Sequence, residues 1–170
     1  MRGLTTDKRQ GQFIGNTCLT IMRRYVAGEK TMSLNEPFDK VREFHLAFNH
    51  RCPERPELLP EERMTKRYNW MHEELEEFRT ATSIHDQADA MVDLMYFALG
   101  TLVEMGVRPG RLFDIVHEAN MKKLWPDGKV HYAPDGKVIK HPSWQPPEPF
   151  LIKEIDRQLR ASPAVTLPGT

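Results

Sequence analysis

The sequence contains little cysteine, no long apolar run and no excess of charge of either sign. Only Cys18 and Cys52 are present in 170 residues, which excludes a disulfide framework and leaves too few thiolates for a cysteine-based zinc site. No apolar run approaches the roughly 18 residues that a membrane-spanning helix needs. The 24 basic residues balance the 24 acidic ones, whereas a general nucleic-acid or membrane-surface binder needs a basic excess. These absences predict a cytoplasmic protein that binds neither nucleic acid nor membranes.

The length fits one domain with an extension at each end. Residues 1–31 are rich in Lys and Arg and lack the apolar core of a secretory signal, so we expect a basic extension that need not be ordered. An alternative is that Met32 is the true start. Residues 32–150 are expected to form the functional domain. Eight of the thirteen prolines lie in the last 45 residues, so 151–170 can hold only a short helix, at 151–159, and a loose tail.

Apolar residues between positions 33 and 125 recur at helical spacing, which predicts four helices. Their expected starts, read from capping residues and prolines, are Ser33, Pro60, Ser83 and Pro109. The third helix is apolar over most of its circumference, so it belongs inside a bundle or between subunits. We therefore expect an all-α fold with a four-helix-bundle core. A small C-terminal β-hairpin with its tip at residues 134–136 and an extended Pro-rich tail should follow.

The second helix contains the acidic run Glu73-Glu74-Leu75-Glu76-Glu77. An apolar seam follows this helix at spacings of three and four residues: Met64, Tyr68, Met71, Leu75 and Phe78. At about 100° per residue, Glu73, Glu74 and Glu77 share one sector beside the seam, whereas Glu76 lies apart. We expect Glu76 to be solvated and the other three to act together.

The third helix carries a matching acidic stripe of Asp86, Asp89 and Asp93, without a Lys or Arg stripe to neutralise it. Burying unpaired carboxylates costs several kcal/mol each, so the two stripes need a cation. Oxygen-only ligands suit Mg²⁺ or Mn²⁺. A di-iron carboxylate site is an alternative, but it uses Glu-x-x-His on two helices, and the nearest match is the single pair Asp114 and His117.

These acidic motifs resemble those of the MazG-like all-α nucleoside triphosphate pyrophosphohydrolases, in particular the phosphoribosyl-ATP pyrophosphatase-like branch. The family signature is Glu-Glu-x-x-Glu on one helix and Glu-x-x-Asp on the next, and residues 73–77 match the first part. Asp93 matches the last position, but Ala90 stands where the family has Glu. Asp89 projects on the same face and is expected to replace that ligand. The blocks at 118–125 and 142–147 extend the resemblance toward the C-terminus.

The resemblance implies hydrolysis between the α- and β-phosphates of a nucleoside triphosphate, which gives a monophosphate and pyrophosphate and cleanses the nucleotide pool. Mg²⁺ is the implied cofactor. The expected metal ligands are Glu73, Glu74, Glu77, Asp89 and Asp93. The three glutamates are also the catalytic candidates, since one of them can orient the attacking water. The expected substrate-binding residues are Asn120 and Lys123 on the fourth helix, with Lys137, Lys140 and Arg67 as further candidates.

Two further expectations concern the whole molecule. The broadly apolar third helix needs more cover than three neighbouring helices give, so we expect a homodimer or homotetramer. The rival function is a non-catalytic helical-bundle protein that keeps the fold for interaction or regulation and has lost the metal. Ala90 is the residue that keeps this rival open.

Overall fold

A computed structural model describes residues 33–161, which form five α-helices. In chain order they are α1 (Asn35–Ala47), α2 (Glu61–Thr80), α3 (Ile84–Glu104), α4 (Gly110–Met121) and α5 (Glu148–Arg160). The all-α prediction is confirmed, and α5 begins three residues earlier than expected. The basic extension at 1–31 and most of the C-terminal tail lie outside the described residues. Within residues 33–161 no helix is long and apolar enough to cross a membrane.

The third helix organises the packing, since α3 lies against both α2 and α1. Phe38 and Val41 of α1 meet Val103 of α3 in the most deeply buried apolar cluster, with Leu99 and Leu102 around it. The fourth helix packs chiefly against α5 rather than alongside these three. Within the described part of the chain, the extensive bundle packing therefore involves three helices instead of the four expected.

Local sequence signals fix both ends of α3. The Ser83 hydroxyl accepts a hydrogen bond from the backbone N–H of Asp86 (3.2 Å) and donates one to its carboxylate (2.8 Å), as an N-terminal cap should. At the other end Gly106 adopts φ of 65°. The N–H of Val107 then bonds to the carbonyl of Leu102, and that of Gly106 to Val103, both at 3.0 Å. This is a Schellman C-cap, which only a left-handed residue permits easily.

The predicted C-terminal β-hairpin is wrong. Among the described residues the two sides of the turn meet at one isolated bridge, between Tyr132 and Val138, and no strand forms. The turn itself is present, with Gly136 at φ of 81° and the Asp135 carboxylate accepting from the N–H of Lys137 (3.1 Å). Strands do not grow from it because both bridge residues are exposed, and an isolated two-stranded ribbon without a buried face is only marginally stable.

Most of the apolar seam of α2 is exposed in the described structure. Met64, Tyr68, Leu75 and Phe78 are all exposed, and so are Met91, Val92 and Met95 on α3. The helical period of the seam is real, but the side of α2 that packs on its neighbours is a different one, centred on the buried Arg67.

Candidate functional site: an acidic cluster on α2 and α3

The packed side of α2 runs through Arg63, Arg67, Trp70 and Glu74, at spacings of four, three and four residues. These spacings keep the four residues on one face of a helix. Arg67 is buried, and the indole of Trp70 stacks on Phe97 of α3 with ring centroids 5.9 Å apart. The same contact face therefore carries Glu74 toward α3, one turn beyond the tryptophan.

Glu74 is the one predicted metal ligand that is half-buried rather than exposed. Its Oε2 atom is buried without a hydrogen-bond partner. Partial burial raises the pKa of Glu74 above its ordinary value, and the negative charges of Glu77, Asp93, Asp89 and Glu73 raise it further. All four other predicted ligands thus lie near enough to repel it. We call these five residues the acidic cluster.

The chemistry of the acidic cluster fits a hard divalent cation, because it offers only carboxylate oxygens and one of them is buried and unsatisfied. Apart from Glu74, its side chains are exposed. Within residues 33–161, no three Asp, Glu, His or Cys side chains converge closely enough to hold a metal ion as they stand. The cluster therefore supplies donors of a suitable type, but their side chains do not converge on one point.

The departure from the family signature has a clear position in the structure. Ala90 is 1% exposed, on the packed side of α3 one turn before Asp93. A small apolar side chain thus fills the inward position, and Asp89 beside it is exposed. The assignment of Asp89 as the replacement ligand stays a prediction.

The predicted phosphate-binding residues of the C-terminal half lie at the end of α4 and in the segment that leads to α5. Lys123 Nζ donates a hydrogen bond to Asn120 Oδ1 (2.7 Å), so these two are together as the spacing predicts. Lys137 pairs with Asp135 at 3.2 Å. Lys140 lies 4.0 Å from the centre of the Trp144 ring.

Arg67, a predicted substrate-binding residue, is buried and already paired with a carboxylate. Its guanidinium is buried, bonded to the Glu104 carboxylate and 3.3 Å from His45 Nε2. Sequence reasoning missed the partner, Glu104, which is 0% exposed. The available signal was a single acid in the apolar C-terminal half of α3, which must find a cation if it is buried.

Glu104 is the centre of a buried ion network. Arg63 also binds it, through Nε to Oε2 at 2.6 Å. Burial alone would raise the pKa of Glu104, but the hydrogen bonds from Arg63 and Arg67 outweigh burial and lower it to about 2. Desolvation lowers the pKa of His45, so this ring is neutral near pH 7. The Arg51 carbonyl lies 3.2 Å from His45 Nδ1, which leaves Nε2 to face Arg67.

A cluster of exposed aromatic rings lies one turn along α3 from the acidic cluster. Tyr96, three residues after Asp93, meets Phe44 edge-on with centroids 6.0 Å apart. Phe44 in turn contacts Phe48 at 4.4 Å and stacks on His50 at 5.9 Å. The sequence motifs did not predict this aromatic surface.

The chain is also similar to known proteins. None of the curated proteins compared with the chain matches it. A solved structure of a candidate NTP pyrophosphohydrolase from Exiguobacterium sp. 255-15 shares 31% identity, covering 76% of this chain and 98% of the other, with a TM-score of 0.44. Residues 41–120, which contain all of α2 and α3 and hence the whole acidic cluster, match the phosphoribosyl-ATP pyrophosphohydrolase family. The chain belongs to this phosphoribosyl-ATP pyrophosphohydrolase family of MazG-like all-α proteins.

Proposed function

We propose that the protein is a Mg²⁺-dependent nucleoside triphosphate pyrophosphohydrolase, which cleaves between the α- and β-phosphates and releases a monophosphate and pyrophosphate. Family membership already supports hydrolysis of phosphoric anhydrides in general terms. The observation that carries the finer proposal is the acidic cluster, where the charges of four carboxylates act on a fifth, Glu74, whose Oε2 is buried without a partner. A triphosphate brings further negative charge to these carboxylates. A cation is therefore needed both to offset the repulsion within the cluster and to allow the phosphates to bind.

The residues take distinct roles in this proposal. The metal, when bound, neutralises the charge of the phosphates and acidifies a coordinated water. Glu74 is the inner donor, because its free Oε2 already faces away from bulk water. Glu73, Glu77, Asp89 and Asp93 complete the donor set. One of the three glutamates also orients the attacking water through its carboxylate.

The aromatic cluster next to the acidic one supports a nucleotide as substrate. Phe44, Phe48 and Tyr96 are exposed rings in contact with one another in series, and Tyr96 lies one helical turn along α3 from Asp93. A nucleobase can stack on such rings while its triphosphate reaches the carboxylates, and each stacked base contributes about 1–3 kcal/mol. Asn120 and Lys123, which are bonded to each other, are the proposed contacts to the phosphates.

The decisive experiment follows product release with Mg²⁺ and a panel of nucleoside triphosphates. We expect pyrophosphate and a monophosphate, and loss of at least about a hundredfold in kcat for Glu77→Gln and for Asp93→Asn. Glu76→Gln is the matched control, since Glu76 is on the same helix but pairs with Arg79 at 2.7 Å in solvent. Release of orthophosphate, or equal activity of the Glu77 and Glu76 variants, contradicts the proposal.

The second candidate is a non-catalytic interaction protein that keeps this helical fold. Two observations favour it: no metal-holding group of three side chains is assembled within residues 33–161, and Ala90 occupies an inward position. Titration calorimetry with millimolar Mg²⁺ or Mn²⁺ separates the two. Binding that disappears in Asp93→Asn supports the enzyme, whereas no binding in the folded protein supports the rival.

We also propose that the chain works as a homodimer or homotetramer through the exposed apolar residues of α2 and α3. Met95 and Val92 on α3 are 57% and 56% exposed, and most of the apolar seam of α2 is exposed as well. Exposed apolar surface of this kind is typical of interfaces. Sedimentation should show an oligomer that Met95→Glu dissociates, while Leu58→Glu, at an exposed residue outside both helices, leaves it intact. A wild-type monomer at high concentration contradicts this assembly.

A further inference from the structure

A groove of about 620 Å³ opens between α4, α5 and the segment that joins them. One face of α4 and the residue that caps its C-terminus line it: Arg111, Ile115, Glu118 and Ala119 on the helix, and Lys122 just after it. One face of α5 lines the other side: Phe150, Lys153, Glu154 and Arg157. Trp144, Leu124 and His141 come from the joining segment. The volume lies within the roughly 300–1,000 Å³ that small-molecule sites usually have.

The groove shares no lining residue with the candidate active site, although Lys140, a predicted substrate-binding residue, lies 4.0 Å from the centre of the Trp144 ring. No member of the acidic cluster lines it, and neither does Asn120 or Lys123. At about 100° per residue, Asn120 points roughly 200° away from Glu118 around α4. The two faces of α4 therefore serve different surfaces.

Hydrogen bonds brace the groove at both ends. At one end the indole N–H of Trp144 donates to the carbonyl of Ala119 at 2.7 Å. At the other, Gln158 receives the N–H of Arg108 and donates to its carbonyl, each at 2.9 Å. These contacts hold α5 and the joining segment against α4, so the groove exists before any ligand arrives.

The charges of the groove leave a positive surplus. Each acid of the lining is paired with an arginine: Glu154 accepts two bonds from Arg157 (2.6 and 2.8 Å), and Glu118 accepts one from Arg111 (2.7 Å). Lys122 and Lys153 then remain as two positive charges without an acid of the lining to balance them. Surplus positive charge of this kind attracts anions.

The groove also offers flat apolar surfaces. Phe150 lines the α5 side, and Lys153 lies 5.9 Å from its ring centre, so a cation and a ring are presented together. Trp144 is held in place by its hydrogen bond to the Ala119 carbonyl. Because the ring is already ordered, a ligand that packs on it loses little side-chain entropy on binding.

We propose that this groove is a second ligand site, which binds a flat organic anion of nucleotide size. Its ring system would pack against Trp144 and Phe150, and its phosphate or carboxylate would lie at Lys122 and Lys153. The proposal does not rest on the hydrolysis proposed above, because it uses none of the same residues.

Titration calorimetry in EDTA, without divalent metal, tests it with four probes. AMP and 2-naphthoate are two kinds of flat anion, and adenosine and inorganic phosphate are the separate halves of AMP. We expect AMP, 2-naphthoate or both to bind with one site per chain, and each half of AMP to bind at least about tenfold more weakly, a difference of about 1.4 kcal/mol. Tight binding of AMP alone assigns the site to nucleotides, and tight binding of both assigns it to flat anions generally.

Charge variants locate the binding. The double variant K122E/K153E should weaken it at least about tenfold, and the milder K122Q/K153Q should weaken it less. Lys129→Glu is the matched control, since Lys129 is an exposed lysine of the joining segment that does not line the groove. Glu77→Gln should leave the affinity unchanged, which separates this site from the acidic cluster. Failure of both flat anions to bind near about 1 mM, or binding that K122E/K153E leaves intact, overturns the proposal.

Discussion

The substitution Glu104→Gln tests the buried ion network directly. In the wild type, one carboxylate without exposed surface holds Arg63 and Arg67 together at the contact of α2 and α3. Glutamine keeps the shape but removes the charge, so the guanidinium groups stay in partly desolvated surroundings without a counter-ion. Loss of one partner is the costly way to break a buried pair.

The magnitude follows from the pKa of Glu104. It falls from 4.5 to about 2 on folding. At about 1.36 kcal/mol per pKa unit, the ionised form is stabilised by about 3 kcal/mol, close to the ~3–5 kcal/mol expected when one partner of a buried pair is removed. Because the folded pKa is depressed, this stability is fully present above the unfolded pKa of 4.5 and disappears as the pH falls toward 2.

Urea unfolding at about pH 7 and about pH 3 measures both effects. We expect Glu104→Gln to lower the free energy of unfolding by about 3 kcal/mol at the higher pH and by clearly less at the lower one. Glu57→Gln is the control, because Glu57 pairs with Arg51 at the surface, where an ion pair contributes about 0–1 kcal/mol. A loss below about 1 kcal/mol at neutral pH, or a loss that does not shrink in acid, would refute the reasoning.

Three more substitutions probe other parts of the fold. Glu74→Gln should raise the melting temperature in EDTA near neutral pH and not in acid, because the raised pKa means that the ionised carboxylate is destabilising; a lower melting temperature contradicts this. Gly106→Ala should cost about 1–3 kcal/mol in urea unfolding, since a Cβ there would lie 2.3 Å from the Arg55 carbonyl oxygen at a positive φ, and a neutral result refutes the clash. Gly100→Ala should be destabilising by thermal melting, because a Cβ would come within 3.0 Å of the buried Arg67 guanidinium, and unchanged melting shows that the arginine can move.

Helix boundaries were predictable because their signals are local. The Ser83 cap and the Schellman turn at Gly106 involve residues within a few positions of one another. The prediction of a hairpin was wrong because strand formation depends on contacts that are not local. Turn residues at 134–136 form the turn, but whether strands extend from it depends on a buried face, and the chain provides none there.

In the candidate site, too, the features that depend on one helix were predictable and those that depend on packing between helices were not. Helical projection grouped Glu73, Glu74 and Glu77, and the shared repulsion on Glu74 shows that Asp89 and Asp93 lie near them. The pairing of Arg67 with Glu104 depends instead on how α2 is rotated against α3, which no spacing within one helix reveals. Periodicity marked the α2 seam as apolar, but it cannot distinguish a face that packs within the chain from one that does not.

The attachment of α5 to α4 has a consequence for the order in which parts of the chain unfold. The helix α5 is attached chiefly to α4, and the segment between them contains no helix or strand in the described structure. Detachment of α5 therefore breaks few contacts of the α1–α3 core. Amide hydrogen exchange should thus separate two cooperative units, with α5 and its joining segment exchanging through small local openings and α3 exchanging only through global unfolding.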